Sequence, residues 1–182
     1  MNRLHLAVGI LSLALAQAAA AQPTREALLA ALHGYEIPLT RERLLGLGSG
    51  WEQTAEALAR DTSVAPLYRA RALAALGFSK SPSTPALLRA VLVQKGAAVA
   101  GPDAIEAKEA LLALAAVEGD LAIEDLGRYL DHPVPDTRAA AARALGHSRA
   151  ARARSLLERR AAQESELSVK LHIEAALKAT VR

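Results

Sequence analysis

One pattern recurs along this chain, and a recurring helical unit leaves few folds open to it. Four segments read PLYRARALAALG from Pro66, IEAKEALLALAA from Ile105, PDTRAAAARALG from Pro135 and LSVKLHIEAALK from Leu167. Each has a basic residue in fourth place, at Arg69, Lys108, Arg138 and Lys170. Small or apolar residues follow at shared helical offsets. Leu73, Leu112 and Ala142 form one column, which Glu174 interrupts, and Leu76, Ala115, Leu145 and Leu177 form another. A degenerate copy, PLTRERLLGLG from Pro38, puts Arg41 in the same place with one residue missing. Successive basic residues lie 28, 39, 30 and 32 positions apart, the longest interval holding an insertion at 96–101. A period of about thirty residues fits one helical hairpin per unit.

Composition agrees with helices. Hydrophobic residues make up 52% of the 182, yet aromatics only 3%, so Ala, Leu and Val must build the core. Ala and Leu are strong helix formers, whereas the residues that strands favour are scarce. Apolar spacing of three and four predicts helices over 24–33, 39–47, 51–60, 65–76, 85–94, 103–117, 121–130, 136–145, 149–162 and 166–179. Turn residues such as Gly34, Gly48-Ser49-Gly50 and Gly77 separate them. Paired in order, they form hairpins over 24–48, 51–77, 82–117, 119–146 and 148–181. No single hairpin buries its apolar stripe alone; stacked neighbours do.

The stretch LDHPVPDTRAAAARALG, residues 130–146, resembles the HEAT-like repeat of the short, phycobilisome-lyase type. A helix ending in Leu-Asp turns through a Pro-containing loop into a helix that opens with a basic residue. The resemblance spans nearly all of 22–182, is most specific over 119–146 and is weakest before Trp51. It departs from the pattern at Asp136-Thr137-Arg138, where Val before Arg is usual, and at the 96–101 loop. It implies an all-α fold, an α-solenoid of about five helical hairpins on the order of 50 Å long. The second helix of each pair would line a concave face, where Ala70, Ala139, Ala140 and Ala141 allow close approach. The basic column Arg69, Lys108, Arg138 and Lys170 would be a structural ladder. Its expected acidic partners are Asp61, Asp103, Asp131 and Glu164, five to eight residues upstream. The concave positions facing solvent would then be Tyr68, Arg71, Arg143 and His172, residue types that often anchor partner proteins.

The first residues predict export. Arg3, an apolar run over 6–16 and small residues at Ala19 and Ala21 form a signal peptide over 1–21, cleaved after Ala21. That run is too short to span a bilayer, and no later stretch is long and unbroken enough. With no cysteine, disulfides and thiolate metal sites are excluded. The formal charge of +3 is unevenly spread: residues 22–132 hold 11 basic and 14 acidic side chains, residues 133–182 hold 10 and 5. The basic end includes Arg149, Arg152, Arg154, Arg159 and Arg160, mostly on one helix. It reads first as a solvated face with salt bridges to Glu158 and its neighbours, and second as a contact for an anionic surface. Nucleic acid is not expected of an exported chain whose basic residues lack interleaved aromatics.

Other motifs fall short. Gly46-Leu47-Gly48-Ser49-Gly50-Trp51 lacks the last glycine and the preceding strand of a phosphate loop. Trp51, the only tryptophan, fits packing against the first hairpin better than ligand stacking. His33, His132, His147 and His172 have no zinc-motif spacing. The carboxylates look scattered over outer faces, without a buried pair for acid–base work. The sequence thus predicts a non-enzymatic protein–protein interaction or scaffold module of the cell envelope or secreted space, with no cofactor and no metal. The alternatives are a lyase-like or chaperone accessory protein, by analogy with the repeat family, and an envelope protein held by its basic C-terminal helix. The apolar edge of the last helix could also support a dimer.

Overall fold

A computed structural model describes residues 22–34 and 38–180. The signal peptide expected over 1–21 lies outside the described residues. Those residues are helical, with no strand among them. In chain order they form α1 (Arg25–Leu32), α2 (Arg41–Leu45), α3 (Trp51–Arg60), α4 (Pro66–Leu76), α5 (Thr84–Lys95), α6 (Gly101–Glu118), α7 (Ile123–Gly127), α8 (Pro135–Leu145), α9 (Ala151–Gln163) and α10 (Leu167–Ala179). No helix among them is long and apolar enough to cross a membrane.

The helix ends follow local chemistry. Thr24 and Thr40 accept hydrogen bonds from the backbone N–H of Ala27 and Arg43, capping α1 and α2. Proline opens α4, α8 and, one position in, α5 and α6, where its missing N–H has no helical partner to lose. Gly119, at φ 55°, ends α6 with a positive φ that side-chain-bearing residues avoid.

The expected helix over 121–130 is not continuous. α7 is a short α-helix between two 3-10 turns, Gly119–Ala122 and Arg128–Asp131. Gly119 and Gly127 weaken the helix at both ends, and a Leu156 methyl group occupies the space a Gly127 side chain would need. Residues 96–100 form the expected loop. Gly101 already belongs to α6, which starts a turn before the repeat pattern, and an ion pair between Lys95 and Asp103 (3.0 Å) closes the turn.

α3 packs on α4, α5 on α6, the 119–131 segment on α8, and α9 on α10. The later helix of each pair also packs on the next, in the order α4, α6, α8, α10, while α1 sits on α3 and α4. The core between them is Leu and Ala, with Trp51 as its one large aromatic ring. Trp51 opens α3, the helix that rests on α1, in keeping with a packing role.

Small residues set the spacing of the α4–α6–α8–α10 row. Ala140, Ala141 and Ala142 have no exposed surface. A Cβ on Gly146, at the end of α8, would stand 2.9 Å from the Cα of Ala176 in α10. Those two backbones meet because glycine leaves room.

Candidate functional site

Two residues of the basic column, Arg69 and Arg138, build junctions between successive pairs. Arg69 is buried and gives Glu106 two hydrogen bonds, from Nε (3.0 Å) and Nη2 (2.6 Å), both to Oε1. Its Nη1 donates to the Val64 carbonyl at 2.6 Å. Lys95 binds the other oxygen of Glu106, and Asp103 binds Lys95. A second quartet has the same plan. Arg138 grips Glu164 in a two-pronged pair (Nε 2.8 Å, Nη2 2.9 Å), while its Nη1 donates to the carbonyls of His132 and Pro133. Arg160 binds Glu164 from the other side and reaches Asp131 at 3.1 Å. Arginine suits this place because its planar fork offers several donors at once, reaching both Glu164 oxygens in the second quartet, and stays charged when buried.

The expected partners are therefore corrected. Asp61 pairs with Arg25, Asp103 with Lys95 and Asp131 with Arg160, none of them with the ladder residue downstream. Glu164 does bind the ladder, but through Arg138 of the preceding unit and not through Lys170. The pairing runs forward across each junction, from Arg69 to Glu106 and from Arg138 to Glu164. Lys108 follows the same direction weakly, 3.7 Å from the exposed Asp136. Lys170 is exposed and has no ion-pair partner among the described residues.

Carboxylates are also not confined to outer faces, as the sequence suggested: Glu56, Glu106 and Glu164 are buried. Hydrogen bonds from Arg138 hold Glu164 down to about 2, outweighing burial, with help from the Glu166 N–H and Arg160. For Glu56, burial pushes upward, and hydrogen bonds from Ser83 and Thr84 more than offset it. Burial pulls Lys95 down, yet its bonds to Glu106 and Asp103 raise it overall. Each buried charge is met by an opposite charge or a hydroxyl, as desolvation demands.

A second repeated element escaped the sequence reading. Ala-Leu-Gly-x-Ser occurs at 75–79 and again at 144–148. In each copy the buried serine accepts the N–H two residues on, at Ser81 (3.0 Å) and Ala150 (3.1 Å). Ser79 is hydrogen-bonded to Thr84, which donates to Glu56, and Ser148 donates directly to Asp120. Each serine thus links the end of one pair to the first helix region of the same or the next. The signal was present, two identical pentapeptide frames 69 positions apart.

The residues expected to grip a partner have different surroundings. The Tyr68 hydroxyl is hydrogen-bonded to His33 Nδ1 at 2.7 Å, with the two rings stacked. Arg71 donates to the Gly34 carbonyl at 2.9 Å. Both therefore hold the end of α1 against α4. His172 is hydrogen-bonded through Nδ1 to the Ser168 carbonyl of its own helix. Arg143 is exposed.

What the sequence reading missed on this face is apolar. Leu67 and Ile105 are each nearly half exposed and line a groove of about 220 Å³ between α4 and α6, with Ala70 and Ala74 among its other walls and Arg71 and Glu109 at its edge. Burial raises the Glu109 carboxyl, against the opposing pull of Arg143, then Lys108 and Arg71. The face thus combines exposed aliphatic surface with a partly desolvated carboxylate between two arginines. Leu67 sits two places before Arg69 and Ile105 three before Lys108, and Leu167, also exposed, three before Lys170. An apolar residue just ahead of the basic position was the available clue.

On α9 the basic cluster is mostly paired. Arg152 binds Glu124, Arg154 binds Glu158, and Arg160 binds the buried Glu164. Arg149 and Arg159 remain exposed without an ion pair among the described residues. Among those residues, no group of three or more acidic or histidine side chains could hold a metal ion. The chain matches no protein-family description, no curated protein and no solved structure.

Proposed function

We propose that this chain is an exported, HEAT-like α-solenoid that acts without catalysis, binding a partner protein through the face formed by α4, α6, α8 and α10. The observation that carries this reading is the groove between α4 and α6. Leu67 and Ile105 stay exposed there while smaller residues beside them are buried, and exposed aliphatic surface rimmed by charge is characteristic of interaction sites. The succession of packed pairs supports the solenoid, since each pair contacts the next through its later helix. Exposed Arg143 and half-buried Glu109 add polar groups able to orient an apolar ligand segment.

The test uses the chain as bait in the cell-envelope fraction of its own organism, with captured proteins identified by mass spectrometry. Burying one isoleucine contributes about 1.5–3 kcal/mol. Ile105→Asp combined with Arg143→Ser should then weaken capture of a partner by roughly tenfold or more. The melting temperature should not fall, because both side chains are exposed. Arg159→Ser on α9 should capture as well as the native chain. Equal capture by the double variant would rule out this face.

A further inference from the structure

A cavity larger than the α4–α6 groove is lined mainly by α3 and α5. It measures about 530 Å³, within the range typical of small-ligand sites. α3 and α5 are tied at one end, where buried Glu56 accepts hydrogen bonds from Ser83 and Thr84. Beyond that tie the walls are small and aliphatic: Ala86 and Ala90 on one turn-spaced line of α5, with Val91 beside them. The floor and rim are charged. Arg60, Arg69 and Lys95 line the cavity against a single lining carboxylate, Glu106. Glu56 and Asp103, which contact Arg60 and Lys95, are not part of the lining.

The two quartets differ in how fully the N–H groups of their buried arginines, Arg69 and Arg138, are used. A guanidinium has five N–H donors. Arg138 directs them to both Glu164 oxygens and to two carbonyls, His132 and Pro133. Arg69 reaches one Glu106 oxygen and one carbonyl, Val64, so it keeps more unspent N–H groups beside the cavity. Arg60 at the rim is largely exposed, and its contact with Glu56 is long, at 3.6 Å.

We infer that the α3/α5 cavity is a binding site for an aliphatic carboxylate, the chain lying against Ala86, Ala90 and Val91 and the carboxylate meeting Arg60 with the spare donors of Arg69. Arg60, largely exposed and held by Glu56 only at 3.6 Å, and the unspent Arg69 donors can select an anion. Alanines in place of larger residues leave room for the hydrocarbon. This site is independent of the α4–α6 groove, and neither requires the other.

Octanoate is the probe, with octanol as its uncharged counterpart, titrated into the full chain by calorimetry and by backbone amide NMR. Octanoate should bind saturably, at least tenfold more tightly than octanol, and shift amides of α3 and α5. Ala90→Phe fills the cavity from an exposed position and should weaken octanoate at least tenfold with the helical signal unchanged. Arg60→Gln should weaken it about fivefold, and Arg60→Lys should retain most of the affinity. Absence of saturable binding, equal affinity for octanol, or native affinity in both Ala90→Phe and Arg60→Gln would overturn the assignment.

Discussion

Replacing Glu164 by glutamine probes the best-connected junction in the molecule. The native carboxylate receives two hydrogen bonds from Arg138, two from Arg160, and the backbone N–H groups of Ser165 and Glu166. These hold its pKa at about 2, against 4.5 for an ordinary glutamate, chiefly through Arg138. A carboxyl held that far below its unfolded value contributes about 3 kcal/mol at neutral pH. Glutamine keeps the shape but not the charge, and leaves two arginines short of a counter-ion. Loss of one partner from a buried pair costs about 3–5 kcal/mol, so the two routes to the magnitude agree. The pH dependence has a definite sign. The folded pKa is depressed, so the contribution is fully present above about 4.5 and disappears as pH falls toward about 2. Urea unfolding followed by far-ultraviolet circular dichroism, at steps from pH 7 to 2.5, should show native and Glu164→Gln chains separated by at least about 3 kcal/mol at pH 7 and converging in acid. Reading the difference between the two chains cancels the other carboxylates. A gap below about 0.5 kcal/mol at pH 7, or one that does not shrink in acid, would refute the reasoning.

Two further outcomes follow from single contacts. Gly146→Ala places a methyl group 2.9 Å from the Ala176 backbone and should destabilise the chain by about 1–3 kcal/mol in thermal unfolding. Gly77→Ala, whose nearest α6 atom is Ala113 Cα at 3.4 Å, should lose less, and an equal loss would point away from helix crowding as the cause. Arg143→Gln removes the strongest charge opposing the upward shift of Glu109 and should raise that carboxyl further. Carboxyl-carbon NMR titration measures it, and an unmoved midpoint would separate Arg143 from the face.

Much of the helix layout could be read directly. The prediction for α3 matches its observed bounds, and α4, α8 and α10 each begin one residue from their predicted starts, because proline or a polar flank marks the first turn and apolar spacing marks the buried stripe. The 119–131 segment could not be read this way. Its apolar spacing is helical, but the Leu156 contact at Gly127 is made by a residue 29 positions downstream. The candidate site was legible in part: Arg143 is exposed as expected, whereas Tyr68 and Arg71 are engaged by His33 and Gly34, residues of the preceding pair.

The repeated basic position is where the two kinds of information divide. The amino-acid pattern alone determined that Arg69, Lys108, Arg138 and Lys170 occupy one helical register, because periodicity is a local property of the chain. Which carboxylate each one meets was decided only by tertiary packing. Asp61 is eight residues from Arg69 and pairs elsewhere, while Glu106, 37 residues away, lies across the α4–α6 contact. Packing removes water from that contact, and a buried guanidinium must then pair with the carboxylate buried alongside it, whatever their distance in sequence.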